Sequence, residues 1–455
     1  MSSSNNIALL FMDGHHAMTP MALVETIALL ERHGRKFTLY EPARAKESDW
    51  QEALTKTLLR IHEDIVLVAF SSENHFYAVG SLIFLSQHID LLQNKQVHVC
   101  LPALALFQRV PFHRENVIFH KRLLNEVVSD LLIKTDTSTS IDVSSMVAVI
   151  KKYGYVGKIV SGALNADCRY RCSFCFSRNS AGGRGPNSVN RLDRIMQLID
   201  VAQHTKAPFF KFTDPNFTDD STGVAQFIER YKNKGRTVLW HCSARLDLLN
   251  EEIYGQMTDN GCDYILCGAE HVVRRISDSL YKGQDTIKQL SKLLSYWNQR
   301  STISLSFMTG FKNEEPHESL ENLDFIKRLR KISGLHPYLG YYILFREEQR
   351  GDCESNYLIG LIYLLYMVPY EKKLSLTYAR ALLKHSRENP FFDFYHCTAN
   401  PQSLNIIKAI MQVFTESPDF ISCMPEMKRF MTEMPEWTTT IRQSKSISEI
   451  NQILI

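Results

Sequence analysis

Three cysteines lie close together in the stretch NADCRYRCSFCFSRN, which spans residues 165–179. Cys168, Cys172 and Cys175 have the spacing C-x3-C-x2-C, and no second pair lies beside them to complete the four-ligand pattern of a structural zinc site. A cubane iron–sulfur cluster accepts three thiolates and leaves one iron open to another ligand. The spacing therefore predicts a 4Fe–4S cluster in which the open iron is a functional position.

The composition of the chain indicates the kind of protein in which these thiols occur. The chain has 455 residues, of which 44% are hydrophobic, so two or three domains are expected. Its start, MSSSNNIALLFMDGHH, lacks the basic region of a signal peptide, and its longest later apolar run, LIGLIYLLYMV, is shorter than the roughly 18–20 residues of a membrane span. We therefore expect a cytoplasmic protein, without a membrane partner, in which the ten cysteines serve metal binding or catalysis instead of disulfides. The net charge of +3 is too small to indicate nucleic acid as the main partner.

The elements that could position the cysteines fall into two successive α/β units. In the first unit, apolar strand candidates alternate with amphipathic stretches, which predicts a doubly wound, Rossmann-like sheet. These candidates are residues 7–13, 36–42, 64–71, 96–103 and 116–120. Because a polar stretch follows, we expect this domain to occupy residues 1–133 and a linker to occupy residues 134–156.

The second unit contains the cysteines and repeats the strand and helix pattern six times, which predicts a partial (β/α)6 barrel over residues 157–350. Its strand candidates are residues 157–165, 208–214, 237–245, 263–271, 301–311 and 338–345. Cys168 follows the first of them, so the cysteine loop is expected at the carboxyl ends of the strands, where such barrels place reacting groups. Residues 351–455 are predicted to form a helical cap.

The run C-R-Y-R-C-S-F-C resembles the C-x3-C-x-φ-C motif of radical S-adenosylmethionine (SAM) enzymes, with Phe174 as the aromatic residue before the last cysteine. Further segments resemble those of this family in the same order: FTDPNF, WHCSAR, GCDYILCGAEH and MTGFKNEEPHES. The resemblance implies that Cys168, Cys172 and Cys175 hold the cluster and that SAM binds its open iron. It also implies reductive cleavage of SAM to a 5′-deoxyadenosyl radical, with the electron coming from reduced flavodoxin or ferredoxin.

Other residues receive roles through the same resemblance and their positions at strand ends. Phe174, Asp214, Arg245 and Glu270 are predicted to contact the cofactors: Arg245 would pair with the SAM carboxylate, and Glu270 would accept from its amine or ribose. The alternative for each charged residue is an ordinary surface charge at a strand terminus. Polar side chains that could face a small-molecule substrate are His241, His271, Ser306, Tyr341, Tyr342 and Arg346.

A doubly wound domain ahead of the barrel resembles the cobalamin-binding group of the family. Asp13 and His15 match the first two positions of its D-x-H-x-x-G motif, which would make His15 an axial ligand oriented by Asp13. Met18 stands in place of the glycine, and Leu101-Pro102-Ala103 stands where a later glycine pair is expected. A cobalamin site and a domain that only packs on the barrel both remain open.

The resemblance implies modification of an unactivated carbon of a small metabolite or natural-product precursor. If cobalamin binds, methyl transfer is expected. Without cobalamin, radical dehydration, rearrangement or epimerisation is expected, for example on an aminosugar. The alternative outside enzymes is an iron–sulfur or cobalamin sensor, which has no need of a SAM site.

Overall fold

The computed structural model describes most of the chain, and structural statements below refer to the described residues. These are residues 6–12, 17–70, 75–101, 110–133, 141–165, 168–170, 172–175, 188–235, 237–280, 282, 285–341, 354–368, 372–389, 392, 397–398 and 400–454. Among them, no helix has both the length and the apolar character needed to cross a membrane.

A five-stranded parallel sheet forms from the first part of the chain. Its strands are β1 (Ile7–Phe11), β2 (Phe37–Tyr40), β3 (Ile65–Ala69), β4 (Gln96–Cys100) and β5 (Val117–His120). The strand order is β2-β1-β3-β4-β5. Strands β1 and β3 are apolar and buried along their whole length, as expected for central strands with both faces covered. All five predicted strands of this unit are therefore present.

Five helices accompany this sheet: α1 (Met21–Arg32), α2 (Trp50–Leu59), α3 (His75–His88), α4 (Leu124–Val128) and α5 (Val143–Lys152). Helix α5 lies inside the segment that was expected to be a linker. The Asp142 side chain caps it by accepting from the Ser145 N–H at 2.8 Å. Its apolar face, with Met146 and Ile150 fully buried, contacts α1 and the first helix of the next unit. This segment therefore joins the two units by packing.

A second parallel sheet has six strands. They are β6 (Val160–Gly162), β7 (Phe210–Phe212), β8 (Trp240–Arg245), β9 (Cys262–Glu270), β10 (Thr302–Thr309) and β11 (Leu335–Tyr341). Their spatial order follows the chain from β6 to β11, and β6 and β11 are not paired with each other. This is the arrangement of the predicted partial barrel.

Helices between these strands cover one face of the sheet. They are α6 (Ser188–His204), α7 (Ser221–Asn233), α8 (Glu251–Asp259), α9 (Arg274–Ser279), α10 (Thr286–Tyr296) and α11 (Pro316–Leu329). Trp240 of β8 meets Phe227 of α7 with ring centroids 5.4 Å apart, which identifies the helix-covered face. Alternate residues point to the opposite, inner face. One row across this inner face contains Ser243, Leu266, Ser304 and His336.

The C-terminal part is helical, as predicted. Its helices are α12 (Tyr357–Met367), α13 (Leu376–Glu388), α14 (Ser403–Glu416), α15 (Pro425–Glu433), α16 (Pro435–Gln443) and α17 (Ile447–Leu454), and two short strands, β12 (Glu354–Ser355) and β13 (Cys397–Thr398), form an antiparallel pair. A 3-10 turn, Pro418–Cys423, contacts the edge strand β11, and α14 contacts α11. The helical part therefore covers an edge that would otherwise expose unpaired backbone groups.

Candidate active site

The cysteine loop starts at the carboxyl end of β6. Cys172 is buried, Cys168 and Cys175 are partly exposed, and none of the described cysteines forms a disulfide. The Cys175 N–H donates to the Cys172 carbonyl at 3.2 Å. Burial raises the pKa of Cys168, and the charges of Asp219, Cys175 and Cys172 raise it further. No described group of three or more His, Cys, Asp or Glu side chains closes around a single metal ion. The three thiols nevertheless lie on one loop at the strand ends.

Two carboxylates from the segment after β7 hold this loop. Asp214 is buried, and its two oxygens accept from the Leu164 N–H at 3.0 Å and the Asn165 N–H at 2.5 Å. Asp219 accepts from the Arg169 backbone N–H at 3.1 Å and from its Nε at 2.8 Å. The predicted cofactor residue Asp214 is thus placed beneath the loop, where it fixes the approach to Cys168.

Arg245, at the end of β8, links the loop to the rest of the site. Its Nη1 donates to the Cys172 Sγ at 3.6 Å, and its guanidinium carbon lies 3.9 Å from the centre of the Tyr170 ring. Its Nε and Nη2 donate to the two oxygens of Asp247 at 2.9 and 2.8 Å, and Nη2 also donates to the Lys282 carbonyl at 2.8 Å. Burial opposes the charged form, but the ion pair with Asp247 outweighs it and raises the pKa of Arg245. These partners therefore hold the Arg245 guanidinium in place.

Glu270 lies at the end of β9 in an unusual backbone conformation, with φ of +62°. It forms a buried ion pair with Lys282, whose Nζ also donates to the Gly268 carbonyl at 2.6 Å. Both side chains lie over Gly268: a Cβ there would be 2.4 Å from the Glu270 Oε1 and 2.7 Å from the Lys282 Nζ. The β9–β10 register also shifts here, so that Ser306 pairs with Gly268 and Phe307 with Glu270. Strained backbone of this kind is typical of functional sites.

Phe174 joins a small apolar cluster that lies apart from the main core. The cluster contains Ile276, Leu280 and Phe311, and the Phe174 and Phe311 ring centroids are 6.3 Å apart. The Ser173 N–H donates to the Leu280 carbonyl at 3.0 Å. These contacts attach the end of the cysteine loop to α9 and to the turn after β10.

His271 was predicted to face the substrate, and that prediction is wrong. The side chain is completely buried, accepts from the Val273 N–H at Nδ1 (3.1 Å) and points Nε2 at Glu314 Oε1 (3.2 Å). Glu314 also accepts from the Gly310 N–H at 2.7 Å and the Phe311 N–H at 3.0 Å. Burial alone would raise the pKa of Glu314, but the hydrogen bonds from His271, Ser319 and Thr309 lower it. The pair closes the turn after β10.

A polar row crosses the inner face next to the glutamate and lysine pair. The register aligns Arg245, Gly268, Ser306 and Tyr338 on four adjacent strands. Ser306 was predicted to face the substrate, and it lies in this row. The sequence does not predict Tyr338 as a site residue, because the predicted strand begins there and the face on which its side chain lies is undefined. Burial raises the pKa of Tyr338, the hydrogen bond with Ser306 opposes this, and the charges of Glu270, Tyr264 and Glu426 add to the increase.

The remaining predicted site residues lie elsewhere on the sheet or outside the described part of the chain. His241 lies on β8 four positions before Arg245, with its ring stacked on Phe209 and its Nε2 3.0 Å from Asp263 Oδ1. Tyr341 is buried. The predictions for Asp13, His15, Tyr342 and Arg346 lie outside the described residues.

Comparison with known proteins gives a family and a fold. Residues 164–326 match the Radical SAM superfamily. An uncharacterized methyltransferase from Pyrococcus horikoshii is 25% identical over 163 residues, which are 36% of this chain and only 35% of that protein. The match therefore spans about a third of the length of that relative.

Solved structures extend the likeness beyond the barrel. The radical SAM methyltransferase TsrM from Kitasatospora setae, with cobalamin and a 4Fe–4S cluster bound, aligns with a TM-score of 0.55 at 14% identity over 77% of each chain. The same enzyme with tryptophan substrate and a SAM analog aligns with a TM-score of 0.52 at 14% identity, over 74% of this chain and 73% of TsrM. At this identity the likeness shows a shared fold. The family match is confined to residues 164–326, and the shared fold extends beyond them to 77% of this chain.

Proposed function

We propose that this protein is a cobalamin-dependent radical SAM methyltransferase that acts on an unactivated carbon of a small molecule. The observation that carries the proposal is the pairing of two units in one fold. A sheet of order β2-β1-β3-β4-β5 precedes the partial barrel, and the whole arrangement is shared with TsrM over 77% of each chain. The relative from Pyrococcus horikoshii is also described as a methyltransferase.

The donor set on the cysteine loop fits a 4Fe–4S cluster. Cys168, Cys172 and Cys175 would hold it, since three thiolates are the ligands that leave one iron open. When bound there, the cluster would supply the reductive cleavage of SAM that starts radical chemistry. Reduced flavodoxin or ferredoxin is the proposed electron donor.

Two charged groups beside the cluster would have different roles. Arg245 would act as a positioning residue, because its guanidinium binds Asp247 and also donates to the Cys172 Sγ. Glu270 would accept from the SAM amine or ribose, while Lys282 fixes its orientation across Gly268. Asp214 would support the loop through the backbone N–H groups that it binds.

The first sheet supports a cobalamin site at its switch point. In doubly wound sheets, ligands bind at the carboxyl ends of strands where the order reverses, which here lies between β1 and β3. Asp13 and His15 follow β1 in the sequence; His15 remains the proposed ligand, oriented by Asp13. When bound there, cobalamin would supply the methyl group.

A second candidate, cobalamin-independent radical dehydration, rearrangement or epimerisation, is favoured by one observation. Leu101-Pro102-Ala103 stands after β4, where a glycine pair would let the backbone approach the corrin tail. In that case the first sheet would serve only as packing for the barrel.

Cofactor content separates the two candidates. The full chain is purified anaerobically from cobalamin-fed cells, and iron, sulfide and corrin are quantified on one sample. Methyl transfer predicts near-equal corrin and cluster, together with S-adenosylhomocysteine formed under reducing conditions. A full cluster without corrin, with 5′-deoxyadenosine but no S-adenosylhomocysteine formed from SAM, would support the second candidate.

Matched variants test the cluster itself. Cys172→Ala should lose most of the iron, whereas Cys423→Ala, which removes a buried thiol in the C-terminal part, should keep it. Equal iron in both variants would refute the proposed ligand set.

A further inference from the structure

Glu426 is a carboxylate with an unsatisfied oxygen inside the protein. It lies in the first turn of α15, and its Oε2 is inaccessible to solvent and has no hydrogen-bond partner. Buried polar atoms in native proteins almost always have a partner, and an unpaired buried carboxylate is costly. The Oε2 atom therefore remains available to a hydrogen-bond donor from a ligand.

The location of Glu426 connects it to the inner face of the barrel. The 3-10 turn that precedes α15 contacts β11, and the charge of Glu426 contributes to raising the pKa of Tyr338 on that strand. Tyr338 belongs to the row that contains Gly268 and Ser306, next to the Glu270–Lys282 pair. Glu426 is therefore at the end of this row that is farthest from the cysteine loop.

The carboxylate of Glu426 is poorly solvated. Part of its side chain is accessible to solvent, yet burial raises its pKa to about 7. The neighbouring groups do not neutralise it. Arg429, one turn later, donates to Glu433 at 2.7 Å, and Arg330 donates to the Asp419 carbonyl at 3.2 Å. Within the described part of the chain, no cation forms an ion pair with Glu426.

We propose that Glu426 binds a positively charged nitrogen of the substrate, so that the substrates of this enzyme are amines. This inference rests on the proposed function for the identity of the pocket, and it adds the chemical class of the substrate. An ammonium group would supply both the charge and the donor that the carboxylate lacks. Ser306 and Tyr338 would provide the neighbouring polar contacts, while Tyr264 and Leu266 on the same inner face would contact an apolar part of the substrate.

The proposal can be tested by equilibrium binding of three probes that share one ring. 2-Phenylethylamine carries a positive charge, 2-phenylethanol is neutral and 3-phenylpropanoate is negative. Binding to the full chain with its cluster is measured anaerobically by isothermal titration, without reductant. The amine should bind at least about ten-fold more tightly than the alcohol, because removing one partner of a buried charged pair costs at least that much.

The chain contains a matched control for the variant. Helices α15 and α16 both begin with proline followed by glutamate, and Glu436 is exposed. Glu426→Gln should reduce the preference for amine over alcohol to within about two-fold, and Glu436→Gln should leave it unchanged. Retention of the preference in Glu426→Gln, or equal loss in both variants, would overturn the proposal.

A second measurement uses only the unmodified protein. Because the pKa of Glu426 is raised to about 7, the carboxyl must lose a proton before it can bind an ammonium group. Amine affinity should therefore rise from pH 6 to pH 8 while alcohol affinity stays constant. The charge of Glu426 acts on Tyr338 and Cys423, and burial raises the pKa values of both groups above this range; Arg330 also acts on Cys423.

The two proposals fail in different ways. An absence of amine-selective binding at any probe concentration up to its solubility limit would overturn the role of Glu426 and leave methyl transfer untouched. Intact amine selectivity in a protein that forms no S-adenosylhomocysteine would refute methyl transfer alone.

Discussion

Gly268→Ala should displace the charged pair that lies over the inner face beside the cluster loop. The added Cβ would lie 2.4 Å from the Glu270 Oε1 and 2.7 Å from the Lys282 Nζ, and neither side chain can move into solvent because both are buried. Inserting a methyl into such a site costs about 1–3 kcal/mol. Replacing a glycine also restricts the unfolded chain, which returns about 0.4–1 kcal/mol. A net loss of up to about 2.6 kcal/mol is therefore expected.

Gly340→Ala is the matched control on the same sheet. A Cβ at Gly340 meets only the Phe307 carbonyl oxygen, at 4.0 Å, and its backbone φ is not in the left-handed region. This variant should be neutral or more stable by up to about 1 kcal/mol.

Thermal melting and SAM binding of the two variants provide the assay. The apparent melting temperature of Gly268→Ala should fall below that of Gly340→Ala by up to about 7–14 °C, since the two stability changes differ by up to about 3.6 kcal/mol and each kcal/mol shifts it by about 2–4 °C. SAM affinity should fall about ten-fold in Gly268→Ala only, because Glu270 is displaced. Equal melting temperatures and equal SAM affinities would refute the assignment of Glu270.

Three further predictions concern other buried groups. Asp214→Asn replaces one of the two side-chain oxygens that accept from backbone N–H groups by an NH2 donor. Iron content should therefore fall, and the free energy of unfolding should decrease by about 1–3 kcal/mol. The control Asp193→Asn, at an exposed ion pair, should change neither. The pKa of Glu314 is lowered from 4.5, so its contribution to stability is complete above pH 4.5 and is lost as pH falls through the lowered pKa. In Glu314→Gln, the melting temperature should therefore depend less on pH in this acidic range. Burial and the charge of His120 lower the pKa of His98 from 6.5 to about 4, so stability should decrease as pH falls across this interval; an unchanged slope in His98→Phe would contradict this origin.

Much of the fold was accessible from the sequence because its strands are continuous apolar runs. Strands such as β1 and β3 are buried on both faces, so they read as unbroken hydrophobic segments with clear ends. Segment 143–152 was assigned to a linker because polar residues precede it, although its apolar side chains repeat with helical spacing. Its role in joining the units depends on what it packs against.

The site was predicted less completely. Cys168, Cys172 and Cys175 are recognisable because three thiols at fixed spacing have few other uses. The sequence places His271 at the pocket because it is the last residue of a predicted strand, but the positive φ of Glu270 ends the strand one residue earlier, and His271 is buried. Tyr338 was missed because a shift of one residue in a strand reverses the face of every side chain.

The sequence by itself determined two parallel α/β units, a helical C-terminal part and a three-thiol loop at a strand end, because these follow from local spacing and periodicity. Only the tertiary structure decided which distant groups meet there. Asp214 supports the loop from the next strand, Lys282 reaches back across Gly268 to Glu270, and Glu426 comes within electrostatic range of Tyr338 from a later helix. Such contacts depend on strand register and on the packing of segments far apart in the chain, and neither leaves a periodic pattern in the sequence.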